Sequence, residues 1–335
     1  MSGDHIFAQY LRTIGRGPTL SRPLDATEAY EAMRLILGGI ASPVQIGAFL
    51  LLLRYRGETP DELAGFVRAA RDQIGARAAG PTIDIDWPSY ADRHRQQPWF
   101  VLAALLLAEN GYKVLMHGIA GYDEGYAPTR PVFERLGLPI CRSLDEAAAA
   151  IGRGGLAYIG LEHLCPPLSD LFALRPLLGL RSVVNTLARA LNPLAAPYQL
   201  QGVFHPPYRS LQQQAAIRLG QPFAAIFKGG AGEAQRNPLK PCRVSLVHDG
   251  VASEEEWPAL ITDTAYNWRG EDLDPAAVIA LWRGEREPAA PKAAITGTVA
   301  LALRLTGRAA DPMSAQRMAE DMWRARPRTK YVAAA

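Results

Sequence analysis

At 335 residues the chain exceeds the size that one hydrophobic core usually serves, so two lobes are expected. Its 48% hydrophobic and 21% charged residues exclude a disordered or fibrous chain, and the longest apolar runs, 48–53 and 100–108, are far shorter than the roughly 20 residues that cross a bilayer. The net charge of +3 hides a split: residues 171–248 hold nine Lys or Arg and one acid, Glu233, while the other 27 of 36 basic and 32 of 33 acidic residues lie elsewhere. Such segregation creates a local positive field that draws phosphate-rich partners.

The chain opens on three helix starts. Asp25 with Glu28, Ser42 with Gln45 and Thr59 with Glu62 each have the spacing of a capping box. Pro43 and Pro60 occupy first helical positions, where a missing N–H costs nothing, and Gly38-Gly39 and Gly57 stand where helices end. These predict a small helical lobe over residues 1–80.

After Pro81 the texture changes. Segments 83–86, 112–116, 156–160, 200–204, 223–227 and 243–247 read as short strands, with helical stretches such as 99–110 and 131–136 between them. That alternation predicts a mainly parallel sheet flanked by helices over 81–335. Segment 174–190 reads as helix and is expected to return, as part of 168–190, to the first lobe. Residues from 289 onward predict two helices and a basic tail.

Cys141, Cys165 and Cys242 are scattered and odd in number, which argues against a disulfide framework. With no apolar signal region at the N-terminus, a reduced cytoplasmic protein without a membrane partner is expected. The six histidines lack metal-ligand spacing, so no metal or cofactor is expected. Gly229, Gly230 and Gly232 follow a predicted strand and suit either an anion nest or a tight turn. Trp87, Tyr90 and Trp99 suit either core packing or base stacking.

Three stretches carry a resemblance. Residues 23–72 begin PLDATEAYEAMRLILGGIASP, residues 174–204 contain LRPLLGLRSVVNTLARALNP, and residues 113–118 read KVLMHG. The first is similar to the N-terminal helical domain of anthranilate phosphoribosyltransferases and their thymidine-phosphorylase relatives. The second resembles that family's VRRELGxRTxFNxLGPLxNP segment, and the third its KxxKHGNR. The resemblance implies a small helical domain hinged to a large α/β domain, a homodimer through the helical domains, and a phosphoribosyl pyrophosphate site with magnesium.

The departures are informative. The family's GTGGD loop, whose glycines let backbone N–H groups approach a diphosphate, is here Trp87, Pro88, Ser89, Tyr90, Ala91 and Asp92. The NxST contact becomes Gln96, Gln97, Pro98 and Trp99, and KHGNR becomes Met116, His117, Gly118, Ile119 and Ala120. The magnesium carboxylates fall at Ala234 and Gln235, leaving only the adjacent Glu233. KGGAGEAQRNP, residues 228–238, resembles an element of the family's YbiB branch, which is associated with sequence-independent nucleic-acid binding.

The leading expectation is therefore a nucleic-acid-binding protein, for single or double strands, on a degenerate phosphoribosyltransferase fold. No catalytic residue is expected. Its phosphate contacts would be Arg93, Arg95, His117, Arg175, Arg181, Arg189, Lys228, Arg236, Lys240 and Arg243. The alternative is a glycosyl- or phosphoribosyltransferase with an altered donor or acceptor, using Asp92, His117, Arg175 and Glu233; Arg175 matches the family arginine that contacts anthranilate. A structural or regulatory dimer is a third reading.

Overall fold

The computed structural model describes residues 4–75, 82–91, 95–119, 129–262 and 266–331. Four helices open the chain: α1 (Ala8–Gly15), α2 (Ala26–Leu37), α3 (Pro43–Arg56) and α4 (Pro60–Ile74). All three predicted capping boxes form, each with both reciprocal hydrogen bonds. Helix α1, which no cap announces, adds Phe7, Tyr10 and Ile14 to the core beneath α3. Glu62 joins the lobe: buried, it caps α4, accepts from the Leu24 N–H at 2.9 Å and pairs with Arg56. Helices α2 and α4 cross closely because Gly65 has no side chain; a Cβ there would lie 2.5 Å from the Ala26 carbonyl oxygen.

The next elements are β1 (Ile85–Ser89), α5 (Phe100–Glu109), β2 (Val114–Gly118), α6 (Thr129–Arg135), β3 (Ile140–Cys141), α7 (Leu144–Gly154) and β4 (Leu156–Gly160). Four short helices follow: α8 (Leu161–Leu164), α9 (Pro166–Ala173), α10 (Arg175–Leu178) and α11 (Val183–Ala188). Then come β5 (Tyr198–Val203), α12 (Pro207–Arg218), β6 (Phe223–Lys228), β7 (Cys242–His248), β8 (Val251–Trp257), α13 (Ala276–Arg283), α14 (Ala289–Leu305) and α15 (Pro312–Ala325). The expected single helix over 174–190 is instead α10 and α11. Gly179 ends α10 with φ +69°, and Ser182 caps a new start. Phe172, Val183 and Leu187 share an apolar cluster with Phe7, Phe49 and Phe66, and Arg71 donates to the carbonyls of Leu191 (2.6 Å) and Ala190 (3.1 Å).

The strands form one sheet in the order β3-β4-β2-β1-β5-β6-β7-β8. It is parallel from β3 to β6 and antiparallel for β6–β7 and β7–β8. Parallel strands covered on both faces read as continuous apolar runs, and so does α5, FVLAALLLAE, whose first eight residues are buried. The expected strands match within a few residues. Strand β8, VASEEEW, went unrecognised because it is mostly exposed and acidic. Strand β1 pairs with β5 only over Ile85 and Asp86; the ladder stops before Pro88, which has no N–H to extend it.

Candidate functional site

In an open parallel sheet, ligands settle beyond the carboxyl ends of the strands, here the ends of β1, β2, β5 and β6. The end of β1 is filled by the protein itself. Trp87 and Tyr90 are fully buried, and Trp99 nearly so; all three are core residues, and base stacking by them is excluded. The Tyr90 hydroxyl lies 2.7 Å from His117 Nδ1, and His117 Nε2 lies 3.1 Å from Asp86 Oδ1. With its proton on Nε2, His117 donates to Asp86 and accepts from Tyr90. Asp86 Oδ2 accepts from Gln199 Nε2 at 2.8 Å, and Gln199 Oε1 accepts from Gln201 Nε2 at 2.6 Å. Every member of this network is buried, so the expectation that His117 contacts a phosphate is corrected: both ring nitrogens are committed.

The segment 229–233 completes the closure. Gly202 and Gly229 let it lie directly on the strand ends; a Cβ on either would fall 2.1 Å or less from the Glu233 backbone. Gly229 donates to the Val203 carbonyl, Gly230 to Gln235, Gly232 to Gly229 and Glu233 to Gly230, so this is a tight turn rather than an open anion nest. The turn delivers the buried Glu233 carboxylate to the backbone N–H of Ala91, which donates to Oε1 at 2.6 Å. Ser89 also hydrogen-bonds this carboxylate, and Arg189 lies close by. Burial nevertheless dominates and pushes the Glu233 pKa up to about 7.

A divalent cation does not fit this chemistry. Ala234 offers only a methyl group, the Gln235 side-chain oxygen accepts from the Phe100 N–H at 3.1 Å, and Glu233 is already engaged. No cluster of three His, Cys, Asp or Glu able to hold a metal occurs among the described residues. The former NxST contact has likewise become an anchor. Gln97 Nε2 donates to the carbonyls of Asp272 (2.6 Å) and Asp274 (2.7 Å), and Trp99 Nε1 donates to Glu271 Oε1 at 2.8 Å.

The basic residues do not share one surface. Lys228, Lys240 and Arg243 line one cleft of about 550 Å³, joined by Arg209 and Arg269, by Gln96, and, among the described residues, by a single carboxylate, Glu256. Arg269 lies outside the basic segment and went unrecognised in the sequence. Arg95 is exposed and precedes Gln96. Arg181 and Arg189 line a second, smaller pocket with Arg54. Phe204 borders both, and is half-exposed. Arg175, near Arg181, lines neither, and burial lowers its pKa. Arg236 is a second correction. It is buried against Trp257, 5.1 Å from the ring centroid, with its guanidinium bonded to the Pro258 carbonyl and its N–H donating to Thr298 at 2.9 Å. It ties β8 to α14 from within the core, away from the cleft surface. Arg93, and Asp92 of the alternative reading, lie outside the described residues.

The positive field is also weaker than the sequence alone implies. Antiparallel pairing with β7 brings Glu254, Glu255 and Glu256 of β8 beside the basic residues. Glu254 lies 3.5 Å from Arg209, and Arg243 pairs across the ladder with Glu256.

Comparison with known proteins follows this architecture. A family model for the helical bundle domain of the glycosyl transferase family matches residues 8–74, and the model for its a/b domain matches residues 101–322. The anthranilate phosphoribosyltransferase of Bacillus caldotenax is 31% identical over 237 residues, 69% of this chain and 92% of that protein. The uncharacterized protein YbiB of Escherichia coli (strain K12) is 28% identical over 245 residues, 72% of this chain and 76% of that protein. The crystal structure of anthranilate phosphoribosyltransferase from Thermus thermophilus superposes with a TM-score of 0.72 at 24% identity, covering 90% of this chain and 92% of that one. The chain thus belongs to the glycosyl transferase family that unites a helical bundle domain with an α/β domain, and its fold is that of the anthranilate phosphoribosyltransferases.

Proposed function

We propose that this protein is a family member that has given up the phosphoribosyl donor site and binds nucleic-acid phosphates in its cationic cleft. The observation that carries this reading is a pairing of opposites. The strand ends where a diphosphate would sit are filled by Tyr90, His117 and Glu233, while Arg209, Lys228, Lys240, Arg243 and Arg269 line an open cleft beside the half-exposed ring of Phe204. Guanidinium and ammonium groups along a cleft neutralise a phosphate backbone without reading bases, and an exposed ring at its rim offers a face for stacking. The experiment is a fluorescence-anisotropy titration with single- and double-stranded oligonucleotides of unrelated sequence across a salt series. Sequence-independent binding that weakens steeply with salt supports the reading; no binding at low salt overturns it.

A second reading, a glycosyl- or phosphoribosyltransferase with an altered donor or acceptor, is favoured by the comparisons themselves. The relatives at 30–31% identity are named anthranilate phosphoribosyltransferases, and their names do not refer to nucleic acid. On this reading Arg175 and Glu233 are the remaining polar groups among the described residues, with Asp92 lying outside them. Release of pyrophosphate or phosphate from a phosphorylated sugar donor, abolished by Glu233→Gln, would establish it.

We also propose a homodimer through the helical lobe. Val44, Leu51 and Tyr55 on α3 and Leu177 and Leu180 on the return segment are all exposed, an apolar face of the kind that a partner copy covers.

A further inference from the structure

A half-open pocket of about 80 Å³ lies where three parts of the chain meet. Arg54 comes from α3, Arg181, Asn185 and Arg189 from the return segment, and Tyr208 and Gln212 from α12. Three guanidinium groups border this small volume, and no carboxylate is among the described residues that line it. Two acids act on the lining from outside it: Glu58 on Tyr208, and Glu233 of the closed donor site on Arg189. Arg54 donates to the Tyr208 hydroxyl at 3.1 Å, and Arg189 donates to the carbonyls of Gly202 (3.1 Å) and Asn185. These bonds use a minority of the five N–H groups that each of these two guanidinium groups carries.

Two buried side chains at the same pocket have atoms without partners. Asn185, nine-tenths buried, leaves Nδ2 unbonded. Gln212 leaves Oε1 unbonded, while its Nε2 donates to the Thr186 carbonyl at 2.8 Å. Each such atom destabilises the empty pocket while it is left unsatisfied. One is a donor and the other an acceptor, so a ligand that satisfies both must accept and donate.

We propose that this pocket binds one phosphate group that still carries a proton. Its oxygens would accept from Arg54, Arg181, Arg189 and Asn185, and its P–OH would donate to Gln212. Sulfate matches phosphate in shape and charge but has no proton to give at neutral pH, so the pocket should prefer phosphate. Free inorganic phosphate carries this proton at neutral pH, and the terminal monoester of a longer ligand carries it in its monoanionic form. The inference stands apart from the nucleic-acid reading, because Lys228, Lys240 and Arg243 take no part in it.

Calorimetry of the full chain at low ionic strength, with inorganic phosphate and with sulfate, tests it. Saturable phosphate binding is expected, with sulfate weaker by about tenfold or more, the 1.4 kcal/mol scale of one lost hydrogen bond. The exposed Arg54→Gln should weaken phosphate by about tenfold, and Gln212→Leu should bring phosphate down to the level of sulfate. The phosphate-to-sulfate ratio of the unaltered protein decides the matter even if Gln212→Leu does not fold. An advantage of a 5′-phosphorylated over a 5′-hydroxyl oligonucleotide, lost in Arg54→Gln, would assign the pocket to monoester ends; phosphate binding without that advantage would assign it to free phosphate. Equal affinity for sulfate, no heat with either anion, or an unchanged Arg54→Gln variant would overturn the proposal.

Discussion

The Glu233 carboxylate accepts a hydrogen bond from the backbone N–H of Ala91 across 142 residues of sequence, at 2.6 Å. Ala91 belongs to the segment that stands in place of a glycine-rich phosphate loop, so a carboxylate of the protein occupies a donor that would otherwise face an anion. The contact exists because Gly202 and Gly229 permit the 229–233 turn to lie on the strand ends. It closes the site, and burial of the Glu233 carboxylate makes the site sensitive to pH.

Stability should fall as pH rises through the range where Glu233 titrates. Its folded pKa, about 7, lies above its ordinary 4.5, so the folded state holds the proton more tightly. The contribution is complete below pH 4.5 and is lost as pH climbs to 7, a difference of about 3 kcal/mol. Urea unfolding of the native chain should show a higher midpoint at pH 5 than at pH 8. Glu233→Gln should remove most of that difference, and an unchanged pH profile in this variant would refute the assignment.

The donor site should not bind magnesium–phosphoribosyl pyrophosphate. A diphosphate needs preorganised N–H groups and a cation needs carboxylates, and here Ala91 is engaged by Glu233 while Ala234 and Gln235 offer no charge. Calorimetry with donor and magnesium should give no micromolar binding; a clear isotherm would reverse this conclusion.

The cationic residues should separate by burial. Lys228→Ala, Lys240→Ala and Arg243→Ala should each weaken oligonucleotide binding for all sequences and make the log–log salt slope shallower by about 0.7 for a single strand. Arg236→Ala should leave the slope alone and lower stability by about 2 kcal/mol, because it empties a buried site between β8 and α14. Anisotropy and thermal melting on the same preparations distinguish the two behaviours.

The exposed face of α3 should govern association. Tyr55 is 94% exposed and Val44 82% exposed, so charged substitutions there disturb little inside the lobe. Light scattering at micromolar concentration should give a dimer for the native chain and a monomer for the pair Val44→Asp and Tyr55→Asp. A monomeric native chain would remove the dimer proposal.

Local rules made much of this architecture legible in the sequence. The boxes at Asp25, Ser42 and Thr59 are contained within four residues each, so no distant contact was needed to place those helix starts. The apolar runs of the parallel strands declared themselves because burial on both faces removes polar alternation. The replaced phosphate loop was equally plain, since glycines are required there for backbone N–H groups to approach a diphosphate and are absent from residues 87–92. What fills the gap was decided only in three dimensions. Nothing near Glu233 in sequence announces Ala91, and nothing near His117 announces both Tyr90 and Asp86, because partners from β1, β2 and the 229–233 turn converge only at the carboxyl ends of the strands. Likewise Arg236 and Arg243 are both counted as one positive charge in the sequence. Tertiary packing buries the first against Trp257 and leaves the second on a cleft beside Glu256, since a charge's reach depends on the solvent and the counter-charges that the fold places around it.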